Sequence, residues 1–248
     1  MSRTLTLLFA IVSYAIFFAT FLYLIAFVGD LPVPKTVDAP LTSMPREAKI
    51  IIDVALIVLF GLQHSVMARP GFKRVWTRVI PPPAERSVYV LFASAALIIL
   101  FLFWQPLGRN VWQVGPDMAW LSNILWALFW AGFGIVLIST FLINHFELFG
   151  LQQAWLNLRG ARAADPELRQ PLFYRWVAHP LYAGFFLGFW STPHMTRGHL
   201  LLAVGVSIYM LIAIRYEERD LTDLFGDDYR KYRSGVGGLV PRFRRRSA

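Results

Sequence analysis

The strongest constraint on this chain is a succession of apolar runs, each near the roughly 20 residues that a helix needs to cross a bilayer core. They fall at about 4–28, 48–67, 87–104 and 119–143. Two shorter runs follow at about 180–192 and 200–214, parted by the turn Ser-Thr-Pro-His-Met-Thr-Arg-Gly. Only 16% of the residues are charged, against about 25% in soluble domains. The expected fold is all-α: a polytopic integral membrane protein of five to six transmembrane helices. So many spans leave little of 248 residues for a soluble module, so 1–248 is expected to form one domain. The first run is longer than the roughly 7–15 residues of a signal-peptide core, and no clear small-x-small site follows, so it is expected to stay as a helix.

The net charge of +9 sorts by side. If six spans alternate, 19 of the 24 Lys and Arg residues fall on the side that holds both termini. The positive-inside rule then predicts cytoplasmic termini. The terminal run Arg-Phe-Arg-Arg-Arg suits anionic headgroups, so membrane lipids are expected partners. No aromatic-basic platform accompanies that run, and nucleic acid is not an expected partner. No obligate protein partner is evident. With no cysteine in the chain, disulfides, thiolate metal sites and cysteine nucleophiles are excluded.

Polar side chains crowd the predicted cytoplasmic ends. The second run ends in Gln63, His64 and Ser65, stopped by Pro70. A basic, aromatic stretch around Trp76 suits the inner leaflet, and Glu85 and Arg86 open the third run. The fourth ends in Asn144, His145 and Glu147. His145 and Glu147 are two apart and share no helical face, so both can line one site only if the backbone turns there, and Gly150 is a natural stop. The fifth run brings Tyr174, His179 and Tyr182, and the sixth delivers Arg215, Glu217 and Glu218. His179 with Tyr182, and Arg215 with Glu218, are three apart and share a face. Four clusters converging on one level predict a polar, half-buried pocket with a cytoplasmic-face active site. The helix is expected to continue past Glu218 along the membrane surface to Gly226, and the tail through Tyr229 to fold back over the pocket. On the opposite side, Trp104, Trp112 and Trp120 suggest an external aromatic belt. There is no GxGxxG after a strand and no GxxxxGK[ST], which removes dinucleotide folds and P-loop enzymes. No second-shell spacing supports a metal on His64 and His145, so none is expected.

Ala178-His-Pro-Leu-Tyr-Ala-Gly184, followed by Glu217-Glu-Arg-Asp-Leu-Thr-Asp-Leu-Phe-Gly-Asp-Asp-Tyr229, resembles the cofactor signature of the isoprenylcysteine carboxyl methyltransferase-like superfamily. Ala178 stands where that signature has arginine, and Arg175, a turn earlier, is the candidate substitute. Gln-His-Ser-Val-Met-Ala-Arg, Pro-Ala-Glu-Arg-Ser-Val-Tyr and Asn-His-Phe-Glu-Leu-Phe-Gly are similar to the bacterial methanethiol S-methyltransferase branch and its NnrU-type relatives. The resemblance then covers nearly the whole chain. It implies a bacterial inner-membrane enzyme that uses S-adenosylmethionine to methylate a small thiol, most simply methanethiol to dimethyl sulfide. It places the cofactor within about 173–232, on Tyr174, Ala178, His179, Pro180, Tyr182, Gly184, Arg215, Glu217, Glu218 and Tyr229. A thiol attacks as its thiolate, and His64 or His145 is the candidate base, with Glu147 to orient it. The alternatives are an isoprenylcysteine carboxylate or phospholipid amine as acceptor, or a non-catalytic NnrU-type membrane protein.

Overall fold

The computed structural model describes residues 2–162, 164 and 167–242. The terminal basic run lies outside them from residue 243 onward. Ten helices follow one another among the described residues: α1 (Arg3–Val28), α2 (Arg46–Ala68), α3 (Pro70–Trp76), α4 (Pro82–Phe103), α5 (Ala119–Ile143), α6 (His145–Leu148), α7 (Leu151–Arg159), α8 (Pro180–Trp190), α9 (Arg197–Phe225) and α10 (Asp227–Gly235). Five of them, α1, α2, α4, α5 and α9, are long and apolar enough to cross a membrane. Large apolar side chains such as Leu8, Ile51, Leu62, Trp130 and Ile138 point outward from the bundle, as they must where the surrounding solvent is hydrocarbon.

The local chemistry sets the boundaries. Ser2 accepts from the Leu5 N–H and caps α1. Prolines open α3, α4 and α8, where the missing N–H costs nothing. At the end of α5, Asn144 takes an extended φ of 178°, which breaks the helix before His145. Gly150 then adopts φ +88°, and a Cβ there would meet the Ser87 backbone nitrogen at 2.7 Å. Only glycine both takes that conformation and leaves room for α4.

Two apolar runs depart from their expected lengths. The run expected at 180–192 forms only 11 residues of helix, α8, about 16 Å at 1.5 Å per residue and far short of a roughly 30 Å core. The run expected at 200–214 is the middle of a continuous 29-residue helix, α9, which ends at Gly226 as expected. There is no break before the surface: α9 carries Glu217 and Glu218 straight beyond the core. The full-length spans therefore number five, and the short α8 with the stretch to His194 still carries the chain back to the end where Asn110–Gln113 joins α4 to α5, so the alternation of sides is kept.

Inside, α5 and α8 approach until their backbones touch. A Cβ on Gly132 would lie 2.7 Å from the Gly184 carbonyl oxygen, and one on Gly184 would lie 2.6 Å from that of Gly132. Small residues permit such contacts between membrane helices, where packing replaces the hydrophobic effect. Phe27, Trp104, Phe129, Phe133 and Leu202 fill the core nearby. Trp104 is fully buried, its indole N–H donating to the Val37 carbonyl at 3.0 Å. It therefore does not join Trp112 and Trp120 in an external belt: a buried carbonyl acceptor draws it inward. The loop beside it forms a short strand, β1 (Asn110–Gln113), antiparallel to β2 (His194–Thr196). Thr196 caps α9 by accepting from the His199 N–H, and its hydroxyl donates to Asp38.

Candidate active site

At the opposite end of the bundle from this sheet, two cavities adjoin. The first, of about 340 Å³, is the more polar and includes Tyr174, His179, Tyr182, Glu217 and Arg69 in its lining. The second, of about 250 Å³, is predominantly apolar and runs between α1, α2, α4, α5, α8 and α9. His64, Arg86, Tyr89, Tyr182 and Tyr209 line both and form the shared wall.

The polar cavity is held by ties between distant elements. Tyr182 at the start of α8 donates to Glu217 on α9 at 2.8 Å. His179 Nε2 lies 2.9 Å from Glu218 Oε1, which also accepts from Arg233 on α10. The segment after α10 returns alongside: the His179 N–H donates to the Gly238 carbonyl at 3.1 Å, and the Ala178 N–H to that of Gly237 at 2.8 Å. Tyr232 donates to the Tyr174 carbonyl at 2.8 Å. Burial pushes the phenols of Tyr174 and Tyr229 well above their ordinary value, and that of Tyr232 up to about 12. At neutral pH these rings are uncharged hydrogen-bond donors. On the α2 side, Arg69 is paired with Asp220 at 3.0 Å and stacks over Tyr216.

Of the residues singled out from the sequence, Tyr174, Ala178, His179, Tyr182 and Glu217 line the polar cavity, and His64 lines both. Glu218 stands behind them as the partner of His179. Pro180 starts α8 directly after His179. Gly184 serves the α5 contact rather than the cavity. Tyr229 is buried with a hydroxyl that finds no partner among the described residues. Arg215 is exposed, and Glu218 pairs with His179 and Arg233 in its stead. Arg175 is likewise exposed, and the cations beside Ala178's cavity are Arg69 and Arg86. Arg86 donates to the Leu148 carbonyl at 2.7 Å, closing the gap between α4 and α6.

The two candidate histidines differ in what holds them. His145 lines only the apolar cavity, with both ring nitrogens occupied. Thr140 Oγ1 donates its single proton to the Leu137 carbonyl at 2.6 Å and so accepts from His145 Nδ1 at 2.8 Å. Nε2 then accepts from the Tyr14 hydroxyl at 2.8 Å, and Phe141 stacks on the ring at 4.0 Å. Burial lowers its pKa, which keeps the ring neutral. Glu147 is exposed and accepts from Asn144 at 2.7 Å; the break at Asn144 turns the backbone, yet it carries Glu147 outward, not toward His145. His64, by contrast, is packed between Phe60, Tyr89 and Tyr209, and its Nδ1 is buried without a hydrogen-bond partner among the described residues.

Tyr209, Ala213 and Asp220 belong to the polar cavity and were not singled out by the sequence. With Glu217 they recur at intervals of three or four on α9, which is the spacing of one helical face. That signal becomes readable once α9 is known to be unbroken. Among the described residues no group of three or more His, Asp or Glu could hold a metal ion.

Five apolar helices around a buried polar site define an all-α, polytopic integral membrane protein. Over 241 residues the chain is 48% identical to a methanethiol S-methyltransferase from Mycobacterium tuberculosis, covering 97% of this chain and 98% of that one. It is also 49% identical over 219 residues to the methanethiol S-methyltransferase of Pseudomonas deceptionensis, covering 88% and 82% of the two chains. The chain belongs to the methanethiol S-methyltransferase family and is a methyltransferase. Nurim from Xenopus laevis is a more distant relative, 30% identical over 227 residues, which cover 85% of this chain and 78% of Nurim. No protein-family model matches the chain, and no solved structure does.

Proposed function

We propose that this chain transfers a methyl group from S-adenosylmethionine to methanethiol, giving dimethyl sulfide and S-adenosylhomocysteine. The observation that carries this reading is the meeting of a polar and an apolar cavity at one wall that contains His64. A charged donor and an uncharged, apolar acceptor require two such compartments side by side.

The polar cavity suits the donor. Its volume of about 340 Å³ falls within the range of roughly 300–1,000 Å³ for small-molecule sites. Tyr174, His179, Tyr182 and Glu217 are the residues that would hold it, with Glu218 and Arg233 fixing His179 from behind. Tyr89, Tyr182 and Tyr209 at the shared wall suit a sulfonium, because aromatic faces attract cations. When bound, S-adenosylmethionine supplies an electrophilic methyl group. The protein's own work is alignment, exclusion of water and removal of the thiol proton. His64 is the base: its neighbours are aromatic, and its Nδ1 has no partner among the described residues. His145 is a brace between α1 and α5, because its acceptor nitrogen is already engaged by Tyr14. The positive-inside count favours a site and termini facing the cytoplasm of a bacterial inner membrane, where S-adenosylmethionine is made.

The test is incubation of the purified protein with methyl-labelled S-adenosylmethionine and methanethiol, followed by headspace analysis. Labelled dimethyl sulfide is the expected product. Folded protein that binds the donor but releases no labelled sulfide would overturn the assignment.

A further inference from the structure

Methanethiol has two heavy atoms, and the apolar cavity is far larger than it needs. The lining on α4 extends from Arg86 to Leu100, roughly 21 Å of helix at about 1.5 Å per residue. On α2 it extends from His64 to Ile57, and α1 supplies Phe17 to Leu24. The space is therefore an elongated slot that starts at the His64 wall and runs toward the middle of the bundle. Its volume is about 250 Å³, whereas an apolar cavity of ~150 Å³ already holds benzene.

Away from the shared wall, with its three tyrosines, the slot has no spare donor. Three hydroxyl side chains line that part, those of Thr20, Ser94 and Thr140. Each spends its proton on its own helix: Thr20 on the Ile16 carbonyl at 2.7 Å, Ser94 on Val90 at 2.9 Å, and Thr140 on Leu137 at 2.6 Å. None of the three has a donor left to hold water or a polar tail. An occupant needs a neutral, apolar, unbranched body with its reactive atom at one end.

We propose that this slot is an acceptor channel for unbranched alkanethiols, with the sulfur at His64 and the alkyl tail laid along α4 toward Leu97 and Leu100. The proposal rests on the reading of the His64 wall as the point of methyl transfer, and widens its substrate class from methanethiol to longer apolar thiols. The thiol proton passes to His64, and the thiolate electron pair forms the new sulfur–carbon bond. The methyl–sulfur bond of the donor breaks with its electron pair left on the donor sulfur, which departs as a thioether. Charged thiols such as cysteine are disfavoured, because among the described residues the slot beyond Arg86 is lined by no Lys, Arg, Asp or Glu to pair both an ammonium and a carboxylate.

Two measurements test this. In the first, dimethyl sulfide and butyl methyl sulfide are titrated into the protein without any donor, with affinities referred to the free aqueous concentration. Each buried methylene is worth about 0.8 kcal/mol, so three of them should tighten binding by about fiftyfold. In the second, turnover of methanethiol, 1-butanethiol and cysteine is compared. 1-Butanethiol should be methylated with a KM well below that of methanethiol, and cysteine should be a far poorer substrate than either. Leu97→Phe and, as a second variant, Ala93→Leu fill the slot beyond the reacting end; either should abolish the advantage of the butyl chain and leave methanethiol turnover in place. If methanethiol is turned over but 1-butanethiol is not, and the butyl sulfide binds no more tightly than dimethyl sulfide, the channel is refuted while the parent reaction stands. If neither thiol reacts, the parent reaction fails, and the sulfide titration alone decides whether the slot takes an alkyl chain.

Discussion

His64 and His145 are alike in the sequence, each near the end of a helix that runs in the same direction, and nothing in their spacing separates them. Hydrogen bonding does. His145 is fastened at both nitrogens, while His64 has a buried nitrogen with no partner among the described residues at the wall between the cavities. His64→Ala is expected to lower turnover by about 10²–10⁴-fold, with donor affinity nearly unchanged and activity partly restored at alkaline pH, where solution supplies the thiolate. His145→Ala is expected to leave the pH profile of turnover alone and to lower stability by about 1–3 kcal/mol, as buried partners lose their bonds. Thermal unfolding in detergent, run beside a pH–rate series, separates the two effects. His179→Ala should weaken S-adenosylmethionine binding about ten- to a hundredfold in a calorimetric titration. Tyr174, His179 and Glu217, which line the polar cavity, all sit in motif positions that the sequence singled out. Arg215 and Glu147 were reasonable by spacing alone, but which side of a helix meets its neighbours depends on packing that spacing does not encode.

Among the elements, the contact of α5 with α8 is the most demanding. The glycines at 132 and 184 bring two backbones within reach of each other, so Gly184→Ala should cost about 1–3 kcal/mol through overpacking. Because Gly184 lines neither cavity, the folded fraction of that variant should bind S-adenosylmethionine as the parent does. The opposite end of the bundle carries a pH signature. Burial raises the Asp38 carboxyl from 3.8 to about 6; Thr196 and His194 pull it down and Asp30 pushes it up. A folded-state value above the unfolded one means that the native protein holds the proton more tightly. The associated stability is complete below about pH 4 and lost as pH rises through about 6. Asp38→Asn, permanently neutral, should therefore unfold at a higher temperature than the parent at pH 8, by about 1–3 kcal/mol in stability, with no gain at pH 4. These two elements also mark the limits of periodicity as a signal. The apolar runs located every long helix, because hydropathy depends on composition alone. Hydropathy alone ends at residue 214; the continuation of α9 to Gly226 was legible only from the helical spacing of Leu221, Leu224 and Phe225 after Glu218. The β1–β2 pairing was equally hidden, joining segments more than 80 residues apart through backbone groups that carry no sequence signature.

At the scale of the molecule, the site depends on four separated stretches of chain arriving at one level of the bundle. The alternation of spans made that convergence legible, and the tail that returns along Ala178 and His179 completes it. The same alternation predicts sidedness: a cytoplasmic reporter inserted after Gly160 should be active and a periplasmic one silent, and the reverse would separate the site from its donor. What alternation leaves open is the division of the interior into a polar and an apolar cavity, which follows from side chains of six helices meeting at once. That division is the centre of the account, and an experimental structure of the protein with S-adenosylhomocysteine tests it most directly. The nucleoside and amino-acid parts are expected in the cavity of Tyr174, His179 and Glu217, and the thioether sulfur at the wall shared by His64 and Tyr182, facing the apolar slot. A sulfur turned away from that wall, or a ligand seated elsewhere in the bundle, would contradict it.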